Sequence, residues 1–162
     1  MLLGILALGA TQVVAQSRGD RGDDRHEQKT RTEDEHDRRT NAPRSARTIV
    51  VPANVAWTNT GIKVKLGQWL RFEPSGEIRL SFHGDDVAVA AGAKSGRMSD
   101  KAPIPSASLG TLIGRVNSGK PFSIGDSTQA FQMPANGTLF LSGNDDYVGD
   151  NSGNYVVKIW EP

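Results

Sequence analysis

The sequence predicts an all-β fold, a sandwich or barrel of about eight short strands. Three observations predict it. Apolar runs of four to six residues recur with residue-by-residue alternation and are separated at short intervals by Gly, Pro, Asn and Ser. The chain is rich in turn formers, with 18 glycines and 8 prolines among 162 residues. Beyond the first 45 or so residues no apolar stripe of helical period appears.

Met1 to Gln16 is apolar from Leu2 to Leu8 and ends in small residues, with Val13 and Ala15 placed as in a small-x-small cleavage site. The expectation is a signal peptide over residues 1–15 and a secreted or periplasmic protein. The apolar run is shorter than the roughly 20 residues that cross a bilayer, so no membrane span is expected. Residues 16–47 form a charged segment with no apolar side chain larger than Ala. Such a segment has nothing to bury and reads as a disordered linker. Its Arg18-Gly19-Asp20 and Arg21-Gly22-Asp23 tripeptides, and its His26 and His36, follow from that composition and read as solvated.

From Thr48 the composition changes, and residues 48–162 form the expected domain. TIVVPANVAW carries Pro52, which suits an edge strand. Asn59-Thr60-Gly61 reads as a turn, followed by Ile62, Val64 and Leu66 on one face of a strand. WLRFEP follows, then Ser75-Gly76 as a second turn, then Ile78, Leu80 and Phe82 on one face. His83 to Ser108 is the longest irregular stretch, of the kind that is functional or mobile. The later strands are GTLIGRV, PFSIG, TQAFQMP, TLFLSG and YVVKIW. Trp57, Trp69, Phe72, Leu80, Leu112, Phe131, Leu139, Leu141, Val157 and Ile159 are expected in the core.

The formal charge of the whole chain is +1, and from Thr48 onward ten acidic side chains balance ten basic ones. This argues against a nucleic-acid partner, which calls for a strongly basic footprint. With no cysteine and a single histidine, His83, in the domain, a thiolate zinc site, a Cys nucleophile and a Ser-His pair set in a nucleophile elbow are all poorly served. Two Asp residues on one short loop are also a poor glycosidase pair, so the expectation is a protein that is not an enzyme.

One loop concentrates the polar chemistry. Asn144 to Asn154, NDDYVGDNSGN, places Asp145, Asp146, Asp150 and three Asn side chains between two β-like runs. A hard cation takes roughly six to eight such oxygens. The same residues also make an ordinary polar turn. There is no Glu where an EF-hand requires one, so that motif is excluded. Asp85 and Asp86 form a second acidic pair that could approach the first in space.

The ordered set FEPSGEI, APIPSASLGTLIGRV, PFSIG and ANGTLFLSGNDDYVGDNSGNYVVKI resembles the PA-IL/LecA family of bacterial calcium-dependent galactose-binding lectins, from about Val50 to Trp160. The resemblance implies a jelly-roll-like sandwich of two antiparallel sheets with one Ca²⁺ at the sheet end. It implies metal ligation by the side chains of Asp145, Asp150 and Asn151 and by main-chain carbonyls at Tyr147 and near Leu80. Asp145, Asp150 and Asn151 would also contact the sugar, whose hydroxyls the family binds directly on the metal. The acidic loop is shorter than in the characterised galactose binder, Asp150 stands where that lectin has Asn, and the family's His-Pro and Gln sugar contacts have no counterpart here. The implied function is a lectin for a carbohydrate partner, with galactose-type ligands as one expectation and homo-oligomers favoured through avidity. The alternative is a calcium-stabilised structural or protein-interaction sandwich that binds no sugar.

Overall fold

The computed structural model describes residues 46–81 and 86–161. The predicted signal peptide, nearly all of the predicted linker with its tripeptides and histidines, and Phe82, His83 and Asp85 lie outside these residues. Ten strands follow in order: β1 (Arg47–Pro52), β2 (Thr58–Val64), β3 (Trp69–Arg79), β4 (Val87–Val89), β5 (Gly92–Ala93), β6 (Leu112–Val116), β7 (Phe122–Ser123), β8 (Ala130–Gln132), β9 (Gly137–Gly143) and β10 (Ser152–Trp160). A single 3₁₀ turn, Val148–Asp150, precedes β10.

All pairings are antiparallel, and they build two sheets. One has six strands in the order β1-β10-β3-β4-β5, with β8 also paired to β3; the other has four, β2-β9-β6-β7. β3 organises the larger sheet. One of its edges pairs with β10 from Arg71 to Arg79, while the other takes β8 at Trp69–Arg71 and β4 at Ile78–Arg79. β1 is an edge strand and ends in Pro52, where the missing N–H does least harm.

Alternation along the strands puts one face of each sheet into a shared core. Val51, Leu70, Phe72, Ile78, Tyr155, Val157 and Ile159 from the six-stranded sheet join Ile62, Val64, Leu112, Val116, Leu139 and Leu141 from the four-stranded sheet in one cluster. Leu80, Leu109 and Met133 complete it near the sheet ends. Seven of the ten expected core residues are buried there. Trp69 is not: half of its surface is exposed (50%), because its neighbour Leu70 takes the inward position. Trp57 is half-buried under the Arg115 guanidinium, 4.2 Å from its ring centroid, and Phe131 is half-buried against Phe122 at 4.7 Å.

Two expected turns are instead internal to strands. Asn59-Thr60-Gly61 lies within β2, where the register with β9 shifts between Asn59 and Lys63. The same side-chain chemistry that makes a turn here makes a bulge. The Gly61 N–H donates to Asn59 Oδ1 (2.9 Å), the Ile62 N–H donates to Thr60 Oγ1 (3.1 Å), and Thr60 Oγ1 donates to the Leu139 carbonyl (2.7 Å). The strand ends at Val64, so Leu66 is 67% exposed rather than following Ile62 and Val64 inward. Ser75-Gly76 lies inside β3, directly opposite Val156 and Tyr155 of β10. The count of ten strands, against about eight expected, comes partly from β4 and β5, a small hairpin within the stretch read as irregular.

Candidate functional site

The acidic loop begins where β9 ends and is anchored by Asn144, which is completely buried. Its amide Nδ2 donates to the carbonyls of Ile104 (3.0 Å), Ala107 (3.1 Å) and Ser108 (3.3 Å), and its Oδ1 accepts from the Ile104 N–H (2.9 Å). Its main chain pairs with Thr111 and Gly110 as well. Asn144 therefore ties the long loop before β6 to the start of the acidic loop. It was grouped with the oxygen-rich residues by composition, but every polar atom of its side chain is engaged in holding the scaffold.

Asp145 follows, 8% exposed. Its Oδ1 accepts from the main-chain N–H groups of Asp146 (2.7 Å) and Tyr147 (3.5 Å), and its Oδ2 accepts from Asn151 Nδ2 (2.5 Å). Burial pushes its carboxyl above the usual carboxylate range, and these donors offset only part of that push. Asn151 is 4% exposed and stands immediately before β10. Its Nδ2 also reaches the Ala53 carbonyl (3.5 Å), while its Oδ1 is buried without any hydrogen-bond partner. Such an orphaned buried acceptor is uncommon and calls for an explanation.

The remaining predicted ligands fall close by. Leu80, Asp145, Tyr147 and Asp150 line one cavity of about 320 Å³. Leu80 comes one residue after Arg79, which pairs with Ser152, so the β3–β10 register carries Leu80 alongside Asn151. Tyr147 is extended, precedes the 3₁₀ turn, and leaves its ring exposed at the cavity. Asn151 is joined to this wall through Asp145. All five predicted metal-site residues are thus brought to one end of the sandwich.

The carboxylates do not form a cage. Among the described residues no three Asp, Glu or His side chains converge. Asp146 is exposed and turned to the opposite wall, where Ser99 Oγ donates to its Oδ2 (2.6 Å); that hydroxyl holds its carboxyl below the usual range. Asp86 engages Ser95 and Arg97 rather than the acidic loop. A cation held here would depend on Asp145, Asp150, the Asn151 carbonyl and main-chain oxygens. That set is all oxygen and includes one buried acceptor with no partner, which fits a hard cation such as Ca²⁺.

Arg97, Met98 and Ser99 form the far wall of the cavity. Their role was not foreseen individually, although they sit in the long stretch singled out for its length. Nothing local in Arg-Met-Ser announces a site; the Asn144 bonds, across some forty positions of sequence, bring that stretch over the acidic loop.

No family model matches the chain, and no curated protein matches it. Among solved structures, a similar chain is described as the EclA N-terminal domain, a PllA-like lectin. The two share 24% identity with a TM-score of 0.57, over 73% of this chain and 98% of that one. The likeness establishes the fold, an all-β sandwich of two antiparallel sheets.

Proposed function

We propose that the protein is a calcium-dependent carbohydrate-binding protein, not an enzyme, whose cation site lies in the loop between β9 and β10. The observation that carries this reading is the buried, unpartnered Oδ1 of Asn151, on the same amide whose Nδ2 donates to the buried carboxylate of Asp145, a residue that lines the cavity. A buried ionised carboxylate and a buried acceptor without a donor are each costly, and one cation relieves both. The fold shared with a solved lectin domain supports a carbohydrate as the partner, with a galactose-type sugar as one candidate.

Asp145, Asp150 and Asn151 would hold the cation by side-chain oxygens, and Tyr147 and Leu80 by main-chain carbonyls. A bound Ca²⁺ would supply open coordination positions for two sugar hydroxyls in place of water. The protein's own part is to fix the donors and shape the opening. Asn144 clamps the loop, Asp145 orients the Asn151 amide, and the exposed Tyr147 ring offers an apolar face beside the cavity. The N-terminal apolar run supports export, secreted or periplasmic, and oligomers would compensate weak single sites by avidity.

Calorimetric titration with Ca²⁺, with and without a panel of monosaccharides, tests the reading on the wild type and on Asp150→Ala. Calcium binding that is weakened in the variant, together with calcium-dependent sugar binding, is the expected result. No calcium binding by the wild type refutes it. Calcium binding with no response to any sugar would instead assign the loop a purely structural cation.

A further inference from the structure

We propose that the outer face of the four-stranded sheet is an interaction surface for an acidic protein segment, anchored by the guanidinium of Arg115. This surface is independent of the cation loop and of calcium.

Leu112 and Val116 of β6, Leu139 and Leu141 of β9, and Ile62 and Val64 of β2 point into the core, so the residues that alternate with them point outward. That puts Arg115, Phe140 and Asn59 in one row across the sheet, with Thr138 and Lys63 in the next. The Arg115 guanidinium lies against two rings at once, 4.2 Å from the centroid of Trp57 and 5.6 Å from that of Phe140. Its Nε is buried and has no hydrogen-bond partner. Its two terminal nitrogens likewise have no partner among the described residues, but unlike Nε they are not buried. The rings hold the cation in one place, and its end-on fork faces solvent unpaired. That fork matches a carboxylate.

The surroundings set the sign of the partner. The four strands of this sheet carry no Asp or Glu, while Lys63 and Arg115 are both cationic. Lys63 Nζ donates to the hydroxyl Thr138 Oγ1 (2.7 Å), and among the described residues no carboxylate reaches it. Lys120, exposed in the turn between β6 and β7, adds a further positive charge at the border. Two such faces would repel each other, so a second copy of this chain is not the occupant. An Arg with two aromatic rings at the centre, and Lys, Asn and Thr around them, has the make-up of a protein-binding centre and its rim. Because the guanidinium already covers the Trp57 ring, a sugar finds no open ring there to stack on, which favours a protein carboxylate over a polysaccharide.

The test is calorimetric titration with poly-L-glutamate, in chelator and at two salt concentrations, with polygalacturonate as a carboxylate-bearing polysaccharide for comparison. Poly-L-glutamate is expected to bind the wild type, and more weakly as salt rises. Arg115→Gln should weaken binding about tenfold, as the loss of a charge-assisted contact implies. Arg115→Lys should recover only part of that, since an ammonium lacks the fork. Lys63→Gln should weaken binding roughly twofold, as an exposed charge does. Lys158→Gln removes an equal charge from the outer face of the other sheet, between the core residues Val157 and Ile159, and should leave binding unchanged. Circular dichroism checks that each variant is folded. If Arg115→Gln does not fold, Arg115→Lys and Lys63→Gln against Lys158→Gln decide the matter. No binding by the wild type overturns the inference. So does equal weakening by Lys158→Gln, which marks diffuse attraction by charge. Polygalacturonate that binds as tightly as poly-L-glutamate, or more tightly, overturns the assignment to a protein segment.

Discussion

Asp145 is where the cost of the loop is concentrated, and the cost has a pH signature. Its folded pKa is raised above 3.8, with burial as the main cause. Between 3.8 and the raised value the folded state therefore binds more protons than the unfolded state, so stability falls as pH rises through that window. Asp146 has the opposite sign, and its window lies below 3.8, so the two do not overlap. In chelator, urea denaturation of the wild type should show stability rising as pH is lowered through that window toward 4, relative to Asp145→Asn. Saturating Ca²⁺ should abolish that difference in slope. An identical pH profile for wild type and variant would show that Asp145 is not ionised at a cost.

A second single residue ties the site to the core. Tyr155 is buried, and its hydroxyl lies 2.8 Å from the Gly110 carbonyl and 3.0 Å from the Val89 carbonyl. Burial raises its pKa far beyond the usual range, so it stays a neutral donor at any working pH. Tyr155→Phe keeps the packing and leaves these carbonyls without that donor. The expected loss is about 1–3 kcal/mol of unfolding free energy by chemical denaturation.

At the scale of elements, the ribbon of β3 and β10 delivers Leu80 and Asn151 to the same place, and two glycines shape it. Gly76 (φ +90°) and Gly153 (φ +85°) flank the Glu77–Asn154 pair on opposite strands. A Cβ on Gly76 would stand 2.7 Å from the Asn154 carbonyl oxygen, and one on Gly153 would stand 2.7 Å from that of Glu77. Gly153→Ala combines that clash with a left-handed backbone two residues from Asn151. It should cost about 1–3 kcal/mol of stability and weaken calcium binding more than Gly76→Ala, which lies farther along the ribbon. Equal calcium affinities for the two variants would argue against a role for the ribbon in presenting Asn151. These glycines also show where the sequence misleads. Ser-Gly and Asn-Thr-Gly carry the chemistry of turns, and only long-range pairing decides that the chain continues straight on. The alternating run of β10 and the apolar runs of β6 and β9 were legible because burial follows their period. Trp69 was not, since an aromatic residue at a strand start gives no sign of which face it takes.

For the whole molecule, the acidic loop could be picked out by composition, because Asp, Asn and Gly crowd between two strands. The wall opposite could not. It is brought over the loop by Asn144, a residue whose local context resembles its neighbours but whose bonds reach to Ile104, Ala107 and Ser108. If cation and fold are coupled in this way, calcium should stabilise the domain as a unit. A ligand that binds only the folded state, present at about 100 times its Kd, adds about 2.7 kcal/mol. For a domain of this size that corresponds to a rise in Tm of about 10 °C. Thermal unfolding with Ca²⁺ against chelator should show it, and Mg²⁺ should give less, since it demands tighter octahedral geometry and sheds water reluctantly. Asn144→Ala should lower Tm in both conditions by removing the clamp, with about 2–4 kcal/mol lost from its buried partners. It should also reduce the calcium-dependent increment, because a loosened loop must first be ordered by the ion it binds. A Tm rise with calcium that is as large in Asn144→Ala as in the wild type would mean that the cation site is built by the acidic loop alone, without the wall that faces it.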